Sequence, residues 1–274
     1  MPELPEVETV AAGLRAGAVG LKIKAAVCRL PKLLRETAPE DLQALSGLRI
    51  SAVRRRGKVL IIEAEERALL FHLKMTGQFS WAAPEAAPDK HTHFILSFEN
   101  AAEDLRFRDV RKFGFLRCLP LAGVDDCPEV GGLGPEPLEI SEAEFAVRIK
   151  ARKGRLKSVL LDQRVLAGVG NIYADEAIHA AALHPLTAAS RLSPAELVRL
   201  RTALRRILKA AIAAGGSSVR DYRSVDGEIG DFQTRHKVYG RAGERCRRCG
   251  GTIRRIVVGS RSTFYCPKCQ RRKR

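Results

Sequence analysis

The period of the apolar positions changes twice along the chain. In the opening MPELPEVETVAAGL, Val7, Val10, Ala11 and Leu14 recur at helical spacing behind acids at Glu3, Glu6 and Glu8. That stripe predicts a helix with one buried face, and the acids suit the positive end of its dipole. Proline directly after the initiator methionine fits a first helical turn, where an N–H is not needed. From about residue 21 the period becomes two. LKIKAAVCRL, RISAVRRRGKVLIIEA, ALLFHLKMTGQFSW, HFILSFEN and DLRFRDVRKFGFLRCL alternate apolar with polar residues and are rich in β-branched and aromatic side chains. Such a run of strands predicts an antiparallel sandwich or flattened barrel. The segment 120–139, PLAGVDDCPEVGGLGPEPLE, is dense in Pro and Gly and reads as an interdomain hinge.

Past residue 139 the period is helical. In LSPAELVRLRTALRRILKAAIAAGG, Ser193 is the N-cap, Pro194 takes the first position and Glu196 completes a capping box. Leu197, Leu200, Leu204, Ile207, Leu208 and Ala211 form the apolar stripe, and Gly215 and Gly216 stop the helix. Its other side carries Arg199, Arg205, Arg206 and Lys209, which fit either a solvated face or phosphate contact.

Charge narrows the partner. The chain has 274 residues, enough for a real core and about two domains. Its 48 Lys and Arg against 31 acids leave a net charge of +17. A polyanion offsets that self-repulsion, with nucleic acid ahead of an anionic membrane surface. No apolar run approaches the roughly 18 residues of a spanning helix. No signal-peptide pattern is present either, so a cytosolic protein is expected.

The strongest chemical signal is at the C-terminal end. Cys246, Cys249, Cys266 and Cys269 form C-x₂-C-x₁₆-C-x₂-C, and the residues between the pairs suit a hairpin. Four thiolates at tetrahedral geometry specify one structural zinc. The filled shell leaves no position for water, so no catalytic metal is expected. Arg254, Arg255 and Arg261 lie within the hairpin, where they can be aimed at phosphates, while the terminal RRKR suits a loose electrostatic tail. Cys28, Cys118 and Cys127 are scattered and read as inert thiols.

Three weaker signals remain. LAGVGNIYADEA places glycines before a helix that starts at Asn171, which a phosphate site or an ordinary cap explains equally. FHLKMTG and DVRKFG fall at strand ends or turns. Met75 and Phe113 there suit a core, but Met and Phe also suit wedging between base steps, with arginine filling a displaced base's place. His91 and His93 suit surface or strand-pairing positions.

Taken in order, PELPEVET, RRRGK, HLKMTG, DVRKFG, GVGNIYADEA and the four-cysteine terminus resemble the bacterial formamidopyrimidine-DNA glycosylases over essentially the full length. The related endonuclease VIII-like branch shares the layout, but the PELPEVE opening favours the first. The resemblance implies an α+β multidomain chain. A catalytic β-sandwich domain with a leading helix would span 1–119 and a hinge 120–139. A helix–two-turn–helix DNA-binding domain with a base-covering loop would span 140–240, and a zinc finger 241–274. DNA would lie between the domains.

The implied activity is repair of double-stranded DNA by a monomer. It excises oxidised purines, 8-oxoguanine and formamidopyrimidines, cleaves abasic sites by β,δ-elimination, and needs no organic cofactor. The compartment would be the bacterial cytoplasm, at the nucleoid. Carried over by motif, Pro2 is the nucleophile and Glu3 its acid–base partner, with Lys58 and Arg261 completing the catalytic set and Glu6 supporting it. Lys58, Asn171 and Arg261 would hold the phosphates around the flipped nucleotide, Met75, Arg111 and Phe113 would fill the gap, and His93 joins the DNA contacts. The stretch 217–224 matches the base-covering loop. The turn motifs commonly read HLGMTG and DPRRFG in the family; Lys74, Val110 and Lys112 depart from them, which puts the turn geometry in question.

The chemistry follows if Met1 is removed. An α-amine titrates near 7.7–8.0 against about 10.4 for lysine, so roughly a tenth is neutral at pH 7. That lone pair can attack C1′, expel the base and leave an iminium, and the sink acidifies the 2′ hydrogens. Two rivals are an oxidised-pyrimidine glycosylase and a zinc-containing DNA-binding protein without chemistry. The second leaves the N-terminal proline and its acid unexplained.

Overall fold

Glu3, and not Pro2, is the N-cap of the first helix, α1 (Leu4–Ala18), in the computed structural model, which describes residues 1–219 and 222–272. Pro5 sits in the first turn, so Pro2 lies ahead of the helix instead of starting it. The Glu6 carboxylate accepts the Glu3 N–H at 2.8 Å, satisfying a donor that a helix start leaves open. Val7, Val10, Ala11 and Leu14 are buried.

Two antiparallel four-stranded sheets follow. One holds β1 (Ile23–Cys28), β6 (Thr92–Phe98), β7 (Asp104–Asp109) and β5 (Gly77–Ala82), in that order. The other runs β2 (Ile50–Arg56), β3 (Val59–Ala64), β4 (Arg67–His72) and β8 (Phe115–Pro120). A short helix, α2 (Pro39–Gln43), has no counterpart in the sequence reading. The sheets share a core in which the Phe71 ring meets Phe79, Phe94 and Phe107 at centroid distances of 4.9, 5.5 and 5.4 Å.

Strands β3 and β4 read as apolar runs, VLII and ALLF, because both of their faces are covered. Leu60, Ile62, Leu69 and Phe71 face the shared core. Val59, Ile61, Ala68 and Leu70 face Leu119, Val124, Cys127 and Val130. The first part of the Pro/Gly-rich segment 120–139 is therefore a cover for the sheet. The chain divides into two compact units, 1–132 with 214–231, and 133–213 with 232–274.

The second unit holds α3 (Glu142–Lys150), α4 (Leu156–Leu161), α5 (Asn171–Ala180), α6 (Pro194–Ala213) and a hairpin of β9 (Arg254–Val258) and β10 (Arg261–Tyr265). Helix α6 is capped as its sequence predicts. The Ser193 N–H reaches the Glu196 carboxylate at 2.9 Å and the Glu196 N–H reaches Ser193 Oγ at 3.3 Å. Leu197, Leu200, Leu204, Leu208 and Ala211 are buried, while Arg199, Arg206 and Lys209 are exposed. Among the described residues no helix is long and apolar enough to cross a membrane. The expected base-covering loop and the terminal RRKR lie partly outside the described residues, at Arg220, Asp221, Lys273 and Arg274.

Candidate active site and metal centre

In the first unit, the start of α1 and the segment 214–231 share one carboxylate. Glu6 is 2% exposed; its Oε2 takes the Glu3 N–H and its Oε1 takes the Ser217 N–H at 2.7 Å. The Tyr222 hydroxyl donates to the Glu6 carbonyl at 3.2 Å, and burial together with the Glu6 charge pushes that phenol up. Gly216 has φ +82°, and a Cβ there would stand 2.9 Å from Glu6 Cγ and Oε1, so only glycine brings the backbone this close. Pro2 and Glu3 are both buried, whereas Met1 is 52% exposed. An amine released at residue 2 would thus emerge beside two buried carboxylates. This is a setting for nucleophilic attack with proton transfer.

Lys58 follows Gly57 in the turn between β2 and β3 and is buried. Gly57 has φ +57°, and its carbonyl accepts from Arg55 Nη1 at 2.9 Å. Nearby, His72 is held neutral. Burial first, then the charges of Lys74, Lys58 and Arg35, pull its imidazole down to about 3. Its Nδ1 accepts the Lys74 N–H at 3.0 Å.

Met75 and Phe113 are exposed at 38% and 51%, on the turns after β4 and β7, and so are not core residues. Arg111 joins them. Its Nη1 lies 2.9 Å from Met75 Sδ and its guanidinium sits 4.7 Å from the Phe113 ring centroid. The joint between the two turns is Asp109, which is fully buried. Its carboxylate accepts from the Thr76 hydroxyl, from the Arg111 N–H at 3.2 Å and from the Gly114 N–H at 2.7 Å. His93 is buried beneath this joint, with Nε2 2.9 Å from the Asp109 carbonyl. Lys74 and Lys112 adopt φ +50° and +56°, so both turns keep a left-handed conformation without glycine, at about 1 kcal/mol each.

Asp109→Ala takes the acceptor away from the Thr76 hydroxyl and the Gly114 N–H, while the Arg111 N–H keeps Thr76 Oγ1 at 3.0 Å. It is expected to lower unfolding free energy in urea by about 3 kcal/mol. Asp109→Asn, which keeps one acceptor, costs less.

In the second unit, Asn171 opens α5. Its Nδ2 donates to the Ser262 carbonyl at 2.9 Å, and the Asn171 carbonyl accepts from Lys157 Nζ at 3.0 Å. The Asn171 Oδ1 is buried and has no partner among the described residues. Lys157 also pairs with Asp175, both out of contact with solvent, and the other Asp175 oxygen accepts the Phe264 N–H at 3.0 Å. Burial pushes the Asp175 carboxyl up while Lys157 pulls it down. The neighbouring Glu176 accepts the N–H groups of Lys237, Val238 and Tyr239 at 2.9–3.0 Å. Two adjacent acids thus fasten α5 to the strand after Arg261 and to the chain entering the cysteine module. Arg261 itself is exposed, just past a two-residue turn in which Gly259 and Ser260 both have positive φ, the arrangement a tight hairpin favours.

The four Sγ atoms of Cys246, Cys249, Cys266 and Cys269 lie within 4.8 Å of one another. Cys246 and Cys269 are 4.0 Å apart, Cys249 and Cys266 3.4 Å. A tetrahedron with Zn–S near 2.3 Å has edges of about 3.8 Å, so the donor set fits zinc. The Gly250 and Gln270 amides close each pair's turn onto the Cys246 and Cys266 carbonyls at 2.9 Å. His179 Nε2 stands 3.6 Å from Cys246 Sγ, an outer contact that sequence spacing did not reveal. The scattered thiols are pushed up by burial, Cys118 to about 11, and are therefore poor nucleophiles.

Sequence reasoning singled out Pro2, Glu3, Glu6, Lys58, Met75, His93, Arg111 and Phe113 in the first unit; the structure joins Met75, Arg111 and Phe113 into one cluster and buries His93, expected among the DNA contacts, against the Asp109 carbonyl. Sequence reasoning gave no role to Asp109 and Thr76, although they stand inside DVRKFG and HLKMTG, nor to Tyr222 within the stretch 217–224. Asp175 and Glu176 were visible inside the quoted GNIYADEA, but their partners are distant in sequence.

Three family models match the chain. The formamidopyrimidine-DNA glycosylase N-terminal domain covers residues 1–116, the H2TH domain of the same enzyme covers 133–223, and the zinc finger found in FPG and IleRS covers 243–272. The formamidopyrimidine-DNA glycosylase of Listeria innocua is 43% identical over 99% of this chain and all of its own length. That of Chloroflexus aurantiacus is 43% identical over 98% of both chains. Among solved structures, a Lactococcus lactis FPG mutant bound to DNA containing Fapy-dG superposes with a TM-score of 0.92, at 37% identity over 99% of this chain and 100% of that one. MutM bound to DNA containing carbocyclic 8-oxo-G gives 0.91 at 36%, with the same coverage.

Proposed function

The chain belongs to the formamidopyrimidine-DNA glycosylase family, and on that premise we propose that it excises oxidised purines from duplex DNA and then cleaves the strand. The observation that carries the reading is the start of α1. Pro2 stands ahead of a helix whose first acids are buried, and Glu6 clasps both the Glu3 amide and the Ser217 amide. Loss of Met1 exposes the proline nitrogen. Its lone pair forms a bond to C1′ as the C1′–N bond to the base breaks, and the base departs with the proton that the proline nitrogen gives up. The sugar ring opens with Glu3 supplying the proton to its oxygen, leaving a C1′ iminium. Loss of a 2′ proton then expels the 3′ phosphate, and a second elimination expels the 5′ phosphate, so no oxidant or water-activating metal is required.

Lys58 and Arg261 work at the reacting sugar–phosphate, and with Asn171 they hold the phosphates around the extruded nucleotide. Extrusion costs a few kcal/mol. The Met75–Arg111–Phe113 cluster offsets that cost by occupying the gap, with His93 and Asp109 supporting it from below. Zinc on the four cysteines supplies folding free energy to the terminal module and takes no part in the chemistry. The enzyme works as a monomer in the cytoplasm, on nucleoid DNA and its abasic sites.

The test is borohydride reduction during turnover. A covalent protein–DNA adduct through residue 2 is expected with 8-oxoguanine opposite cytosine. Absence of an adduct would leave the non-catalytic DNA-binding reading, and faster turnover of thymine glycol would shift the chain to the pyrimidine branch.

Lys74 adds to the interface. Its ammonium lies 5.5 Å and the Arg35 guanidinium 4.0 Å from the Phe115 ring centroid, two like charges gathered beside a neutral imidazole. Lys74→Gln is expected to reduce the slope of log K against log salt by about 0.9. An unchanged slope removes Lys74 from the phosphate contacts.

A further inference from the structure

Three acids mark the start of α1, and the reading above uses only Glu3 and Glu6. Glu8 Oε2 accepts from Arg55 Nε at 2.9 Å, and Glu8 Oε1 stands 3.6 Å from Arg15 Nη2. The Arg55 side chain is 8% exposed against 48% for Arg15, so the Arg55 contact is the one shielded from solvent. The other arm of Arg55 donates through Nη1 to the Gly57 carbonyl at 2.9 Å. That carbonyl belongs to the peptide group that delivers the Lys58 nitrogen. Fixing its plane fixes how the chain enters Lys58. Gly57, with φ +57°, has the widest choice of conformation of any residue type, so an anchor there selects one. Arginine's planar fork reaches the carboxylate and the carbonyl at once, which a lysine ammonium on the same backbone does not.

We infer that Glu8, acting through the guanidinium of Arg55, is a positioning residue for Lys58. It ties the Lys58 turn to the helix that begins at Pro2 and Glu3, so one rigid element places the nucleophile and the phosphate-holding amine. The inference rests on the assignment of Lys58 to the reacting sugar–phosphate.

The test is a double-mutant cycle on the full chain, read as single-turnover cleavage of an abasic-site duplex. Glu8→Ala is expected to slow cleavage by ~10–100-fold, the usual penalty for a displacement near 1 Å. Glu8→Gln keeps an acceptor for Arg55 and recovers most of the rate. In a Lys58→Ala background, Glu8→Ala is expected to change the rate by less than about twofold, because its target is gone. The same ~10–100-fold loss in both backgrounds overturns the inference, as does a native rate for Glu8→Ala. A native rate for Lys58→Ala alone instead refutes the assignment of Lys58, and the inference falls with it. Arg55→Lys keeps the charge and removes the fork. It runs the same cycle with the same expectation should Glu8→Ala fail to fold.

Discussion

Two residues added ahead of Pro2 are expected to abolish base release, with single-turnover excision falling by ~10³-fold or more and borohydride trapping lost altogether. Binding to the same duplex should stay within about threefold, since no phosphate contact is removed. The reason is electronic. A proline nitrogen inside an amide has its lone pair delocalised into the carbonyl, so it cannot add to C1′, whereas the released imino group can. The structure makes the prediction stringent. Pro2, Glu3 and Glu6 are buried and linked through the Glu3 amide and the Ser217 amide, while Met1 is exposed. An extension can therefore run outward from Met1 without unseating the helix start, and lost activity cannot be ascribed to misfolding. Trapping at an unchanged rate, or an adduct mapped to a lysine, would refute the assignment of Pro2.

The second large effect is loss of the metal. Cys266→Ser, or a strong chelator, is expected to remove one zinc per chain and weaken duplex binding by ~10²-fold or more. Structural zinc supplies on the order of 10–16 kcal/mol to such modules, and the hairpin has only a small apolar centre of Val238, Ile253 and the cysteines. The damage should spread to α5. When the Phe264 amide and the amides of 237–239 disperse, Asp175 and Glu176 lose hydrogen bonds they cannot replace in a buried setting. Asn171 loses its tie to Ser262 by the same event. The single tryptophan, Trp81, packs within the first unit against Gly17, so urea unfolding followed by its fluorescence should keep its midpoint. A metal-free protein that binds duplex at native strength would show that the hairpin is dispensable.

Much of the fold is legible because it is written in local period. The β-strands, α6 with its Ser193–Glu196 cap, and the four-cysteine spacing each depend on residues close in sequence, so chain geometry alone decides them. The apolar runs of β3 and β4 were legible as strands but not as strands covered twice. The cover, Val124, Cys127 and Val130, sits in a stretch whose Pro and Gly content points to a linker. The same limit applies to the proline in the opening motif. Helix propensity places a proline in the first turn, and that proline is Pro5, while Pro2 is left ahead of the cap.

By itself, then, the sequence determined which groups are available: an imino nitrogen behind a methionine, acids next to it, a basic surface, four thiolates at metal spacing. What it could not determine is which distant groups each of these meets. Asp109 gathers Thr76, Arg111 and Gly114, Glu6 reaches Ser217, and Glu176 reaches three amides beyond residue 236. Those partners are chosen by packing, since a buried carboxylate must find donors wherever the folded backbone presents them. No local pattern encodes that choice.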